Sequence, residues 1–269
     1  AFIDMYVLND DGNLFDACSL AAISSLLETK IPKLEKDKIV KGEYSEKMEQ
    51  LLGEKANNYA ATGISSIIHP INPWMPIIHM NVRHFTLDTG VSWFGGGIDL
   101  TPHIIEPKDA ISFHKTLKEI CDRFDIRFYP EFRNWADDYY FLSHRNETRG
   151  VGGIFFDRLK ADEKNSFENL MKFTVELAKA YPKTYAGFMK KNSAKSFTER
   201  EKEWQNLRRG RYVEFNLIHD RGTKFGLESG GNTESILASL PTNASWEYNY
   251  EAESGGFEEN TLGLLKKGI

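Results

Sequence analysis

Residues Ser65–Pro102 read SSIIHPINPWMPIIHMNVRHFTLDTGVSWFGGGIDLTP. Their pattern predicts strands over 62–69, 77–87 and 91–100, the last two joined through the turn Asp88-Thr89-Gly90. Side chains alternate between the two faces of a strand. In 77–87, Ile78, Met80 and Val82 therefore form an apolar face, and His79, Asn81 and Arg83 point the other way. In 91–100, Gly95, Gly97 and Asp99 share parity. Glycines there remove side chains from a patch of sheet, so that something flat can approach the backbone. Asp99 at its edge can accept a hydrogen bond or a proton. Upstream, Ser65 and His69 share a face. The competing readings are a solvated outer face for His79, Asn81 and Arg83, and a sheet bend or bulge for the glycines.

Working outward, FIDMYVL (2–8) reads as a strand followed by an Asp-Gly turn signal, and 17–27 as a helix. Residues 31–47, charged and irregular, read as a connector or a weak helix, and a new unit begins near Met48. Downstream, Ile111, His114, Leu117, Cys121 and Phe124 recur at helical spacing and predict a helix over 108–124. A second helix is expected over 130–144, carrying Phe132, Trp135, Tyr139 and Leu142, and a glycine-led strand over 150–157. Helices are expected at 164–180, 183–191 and 197–208, a strand at 211–220, and a last helix after Asn232. Strands, then helices, then strands suggest an α+β domain with a largely antiparallel sheet.

The chain has 269 residues, 41% hydrophobic and 27% charged, with a net charge of −5. That length can bury a large core, as one big domain or two smaller ones. No apolar run is long enough for a membrane helix, and residues 17–27 are too short and lack a basic lead for a signal peptide. Mild acidity argues against bulk nucleic-acid binding but leaves room for a local basic pocket. Cys18 and Cys121 cannot build a disulfide framework, which suits the cytosol.

Gly230 and Gly231 precede Asn232, a helix N-cap, and free N–H groups there could receive a carboxylate or phosphate. Arg145, Arg149, Arg208, Arg209 and Arg211 could serve a polyanion or only solubility. The seven histidines include no H-x-x-x-H pair, facial-triad start or Cys/His cluster. Phosphate-loop, dinucleotide and nucleophile-elbow patterns are absent.

SSIIHP, NPWMPIIHMNVRHF, WFGGGIDLTP, DAISFHKTLKEICD, HRNETRGVGGIFFD, GRYVEFNLIHDRGTKFGL and TESILASLP resemble oxygen-dependent coproporphyrinogen III oxidases, in order over about residues 60–250. The resemblance implies a large, mainly antiparallel β-sheet flanked on both sides by α-helices, and a homodimer formed through about residues 212–246. It implies a cytoplasmic enzyme of haem biosynthesis that converts two propionates of coproporphyrinogen III to vinyl groups, giving protoporphyrinogen IX. Molecular oxygen is the co-substrate, and no organic cofactor is required.

Matched residue by residue, the resemblance makes His79, Asp99 and Arg83 catalytic: proton donor, partner of the pyrrole N–H groups, and carboxylate partner. Ser65, Asn81, Val82, Arg83, Gly230, Gly231 and Asn232 become substrate contacts. His69, His79, His114 and His144 match ligands assigned to a divalent metal, which the chemistry does not require. The residues fit this reading in their own right. A flat macrocycle with four carboxylates wants glycine clearance, an arginine, free N–H donors and a central carboxylate.

Two features depart from the family pattern. Asn232 stands where arginine is usual. Residues 1–44 resemble part of an archaeal exosome subunit of RNase PH type, so 1–47 is expected as an atypical segment ahead of an oxidase-like domain over 48–269. A non-catalytic tetrapyrrole-binding protein is the alternative function.

Overall fold

The computed structural model describes residues 42–43, 55–56, 58–228 and 231–268. The strand expected at 2–8, the helix at 17–27 and most of the 31–47 connector lie outside the described residues. The described chain is mixed α+β. Its main sheet has strand order β1-β2-β3-β4-β7, from β1 (Gly42–Glu43), β2 (Asn58–Ile68), β3 (Ile77–Leu87), β4 (Ser92–Thr101) and β7 (Gly153–Leu159). A short antiparallel pair is made by β5 (Phe141–Leu142) and β6 (Glu147–Thr148). The helices are α1 (Pro107–Asp122), α2 (Phe128–Tyr139), α3 (Phe167–Asn192), α4 (Glu199–Ile218), α5 (Arg221–Glu228), α6 (Thr233–Leu237) and α7 (Phe257–Leu262).

These elements form two compact units, one of Met80–Gly97, Phe156–Pro182 and the chain up to Ser66, the other of Ile67–His79, Ile98–Phe155 and Lys183–Ile269. In the first unit the predicted turn is present. Gly90 adopts φ 87°, its N–H reaches the Leu87 carbonyl at 3.0 Å, and Leu87 N–H reaches Val91 at 2.8 Å. Asp88 accepts from the Asn58 N–H at 3.0 Å, tying the turn to the start of β2. Tyr59, Phe85 and Trp93 stack in series, with centroids 5.1 and 4.7 Å apart. Such cross-strand aromatic pairs fix register, because a one-residue slip would turn each ring to the opposite face. Behind the sheet, Phe94, Phe156 and Phe173 are fully buried.

In the second unit α1 buries Ala110, Phe113, His114, Leu117, Ile120 and Cys121. The stripe is rotated from the predicted one, and Ile111 is exposed. Helix α2 begins at Phe128 and ends before Phe141, so the expected 130–144 helix is shorter and His144 lies in a turn. The helices expected at 164–180 and 183–191 are one helix, α3, with Pro182 inside it.

The largest correction is 211–220, expected as a strand. It is the C-terminal half of α4, a helix opened by a capping box between Thr198 and Glu201. Apolar residues alternate over Val213, Phe215 and Leu217, which imitates a period of two. The buried face instead includes Trp204, Gln205, Arg208, Arg209, Arg211, Tyr212, Phe215 and Asn216. Half of that face is polar, so a search for apolar periodicity does not register it.

Candidate functional site

In the second unit β4 carries Asp99, 2% exposed, into contact with two partners. His79 on β3 donates its Nδ1–H to Asp99 Oδ1 at 2.8 Å. Arg149, just after β6, donates from a terminal nitrogen to Oδ2 at 2.5 Å. Burial by itself would raise the Asp99 pKa, but the Arg149 charge and the His79 hydrogen bond overcome it and hold the carboxyl at about 2. Asp99 is therefore an ionised acceptor with both oxygens engaged.

Arg149 is 4% exposed. Its guanidinium lies 4.3 Å from the Tyr140 ring centroid and 4.6 Å from those of Tyr212 and Phe215. It also donates to Asn216 Oδ1 at 3.3 Å. The cation is desolvated by aromatic faces and neutralised by one carboxylate, an arrangement suited to arginine's planar group. Burial pushes the Tyr140 and Tyr212 hydroxyls up, so both stay protonated at neutral pH. Since an ionised Asp99 can only accept, His79 holds its proton on Nδ1. The His79 side chain is 24% exposed, against 3% for Asp99. The Asp99 carboxylate is covered, and its contact with the more exposed His79 ring is its link toward the surface.

Arg149, which the sequence groups with surface or polyanion-binding arginines, is instead the buried partner of Asp99. A signal was available. A lone aspartate in the apolar strand IDLT needs a buried cation. Three of the other grouped arginines are also buried, with Arg208 on Glu147 at 2.7 Å, Arg209 on the Pro70 carbonyl at 2.7 Å and Arg211 on Glu214 at 3.1 Å.

In the first unit, Asn81 and Arg83 occupy half-buried positions of β3 that alternate with buried Met80 and Val82, as the strand pattern predicts. Arg83 donates to Asn81 Oδ1 at 2.9 Å and lies 3.0 Å from Asp157 Oδ1 on β7. Gly95 of β4 lies beneath this pair. A Cβ there would stand 2.6 Å from Asp157 Oδ1 and 2.8 Å from Arg83 Nε. The glycine does clear space, but the protein's own ion pair fills it.

Among the remaining expected contacts, Ser65 is exposed on β2 and the Val82 side chain is buried, 3% exposed. Gly230 lies outside the described residues. Gly231 donates its N–H to the Gly226 carbonyl at 3.0 Å. Asn232 is the predicted N-cap, its Oδ1 accepting from Ser235 N–H at 3.0 Å, so one donor expected to serve an anion is already used.

The four histidines expected at a metal have separate protein partners. His69 donates from Nε2 to the Ser239 carbonyl at 2.8 Å, and burial lowers its pKa to about 4. His79 bonds Asp99. His114 donates from Nε2 to the Val151 carbonyl at 2.7 Å, with Nδ1 facing the Tyr129 hydroxyl at 3.2 Å. His144 bonds Glu214 at 2.9 Å and faces His219 at 3.3 Å. Among the described residues no group of three or more His, Cys, Asp or Glu side chains is arranged to hold a metal.

A family profile described as Coproporphyrinogen III oxidase matches residues 6–269. An oxygen-dependent coproporphyrinogen-III oxidase of Francisella tularensis subsp. holarctica (strain OSU18) is 45% identical over 224 residues, 82% of this chain and 71% of the relative. The mitochondrial oxygen-dependent coproporphyrinogen-III oxidase of Homo sapiens is 48% identical over 213 residues, 77% of this chain and 46% of the human protein. The profile match reaches back to residue 6, and the likeness of residues 1–44 to an RNase PH-type subunit gains no support from these comparisons.

Proposed function

Because the chain belongs to the coproporphyrinogen III oxidase family, we propose that it catalyses the oxygen-dependent oxidative decarboxylation of coproporphyrinogen III to protoporphyrinogen IX in haem biosynthesis. Each of two propionate arms, –CH2–CH2–COOH, reacts with one O2 to give –CH=CH2, CO2 and H2O2. The electrons come from the substrate, so no organic cofactor is needed. The observation that carries the residue roles is the buried chain Arg149–Asp99–His79.

In this reading His79 gives or takes the proton at Nε2. Asp99 fixes the ring and its tautomer, and stabilises the imidazolium when it forms. Arg149 keeps Asp99 ionised. Arg83 receives a propionate carboxylate, for which its planar fork is suited. Ser65, Asn81, the backbone at Val82 and the Gly230-Gly231-Asn232 turn contribute further substrate contacts. The activity belongs to residues 48–269, with a large sheet covered by helices on both faces. The chain acts as a cytoplasmic homodimer joined through about residues 212–246. Exposed Leu217, Ile218, Phe225, Leu227 and Trp246 support that interface, since large exposed apolar groups in one segment mark interaction surfaces.

The test is conversion of coproporphyrinogen III by the purified protein in air and under nitrogen, with products separated by chromatography. Protoporphyrinogen should form in air only. Equal turnover under nitrogen would overturn the oxygen-dependent reading, and tight binding without product would make the chain a tetrapyrrole-binding protein.

A further inference from the structure

The Arg83–Asp157 pair raises a question that the family reaction does not answer. A residue that binds a substrate carboxylate gains most from an uncancelled positive charge, yet this one is held 3.0 Å from a carboxylate of its own protein. The juxtaposition is built into three strands. Arg83 comes from β3 and Asp157 from β7, and between them β4 carries Gly95, where a Cβ would collide with both side chains. The pair is also reachable, its side chains 34% and 28% exposed. That is open enough for a ligand and covered enough that solvent and salt do not erase the charge interaction.

We propose that Asp157 is a specificity-determining residue. By cancelling the Arg83 charge, it lets this position accept one substrate carboxylate and disfavours a pyrrole ring that presents two side by side. The inference rests on the reading of Arg83 as a carboxylate-binding residue.

An unaccompanied guanidinium has one positive charge and five N–H donors, enough to hold two carboxylates. With Asp157 in place the local charge is zero before the ligand arrives. A first carboxylate brings it to −1, and charge-assisted hydrogen bonds from guanidinium N–H groups beyond those facing Asn81 and Asp157 offset that cost. A second brings it to −2. Two like charges roughly 6 Å apart in a half-exposed setting reduce binding by about tenfold. Coproporphyrinogen III carries one propionate and one methyl on each pyrrole. Its octacarboxylate homologue carries an acetate beside each propionate, and is the ligand that Asp157 would turn away.

The experiment measures KM for coproporphyrinogen III and the inhibition constant of the octacarboxylate porphyrinogen, at one fixed ionic strength, for the intact chain and for D157N, D157E and R83Q. D157N should strengthen binding of both, and of the octacarboxylate by about tenfold more. D157E, which keeps the charge, should restore most of the original ratio. If D157N weakens both by a common factor, Asp157 only orients Arg83 and the proposal fails. It also fails if the ratio stays put. The R83Q variant separates the two levels. A KM for coproporphyrinogen III unchanged by R83Q removes the carboxylate-binding reading and this inference with it. A raised KM combined with an unmoved D157N ratio removes only the role of Asp157.

Discussion

Arg149 and Asp99 are each costly to bury alone, and each is affordable only because of the other. Asp99→Ala would leave the guanidinium among Tyr140, Tyr212 and Phe215 with no counter-charge, and should cost about 3–5 kcal/mol in chemical denaturation. Loss of activity in that variant would therefore not isolate a chemical role. Asp99→Asn is the more informative change. Its amide can accept from only one of the two donors and turns an N–H2 toward the other. Turnover should fall by about 10²–10⁴.

The same pair predicts acid behaviour. The folded pKa of Asp99, about 2, lies below the ordinary aspartate value of 3.8. Its contribution to stability is therefore complete above about pH 4 and is lost as pH falls toward 2. Arg149→Met should remove most of that pH dependence while lowering stability at neutral pH. Asp99, His79 and Arg83 were recognisable as candidates because polar groups stood out on apolar strands. Arg149 was not, because its partner lies 50 positions away and no local spacing encodes a buried ion pair.

At the scale of elements, the strands over 58–101 were legible to within a few residues, because alternation, the Asp-Thr-Gly turn and the aromatic ladder agree. Helix α4 was half misread because its buried stripe contains arginines, an asparagine and a glutamine that find partners only in the folded chain. The capping box gives a separate check on that helix: Thr198→Ala should destabilise by about 1 kcal/mol. Gly153 gives a sharper one. It begins β7 at φ 154°, and a Cβ there would lie 2.0 Å from the Ile98 carbonyl oxygen. Gly153→Ala should cost at least about 2 kcal/mol in denaturant titrations. A near-neutral result would mean that β4 and β7 approach less closely than described.

For the molecule as a whole, the reaction was legible only through the family, since neither periodicity nor composition encodes an oxidant. The apolar side chains left exposed on α4 and α5 make the proposed homodimer testable. Sedimentation should show a dimer, and Leu217→Glu combined with Phe225→Glu should shift it to monomer. Retention of the dimer would move the interface elsewhere.

The most direct test of the central claim is a gas balance in a sealed vessel, recording O2 consumed and CO2 released as coproporphyrinogen III is converted. One O2 taken up for each CO2 released is the predicted result, with both stopping when oxygen is exhausted. Release of CO2 without oxygen uptake would contradict the account.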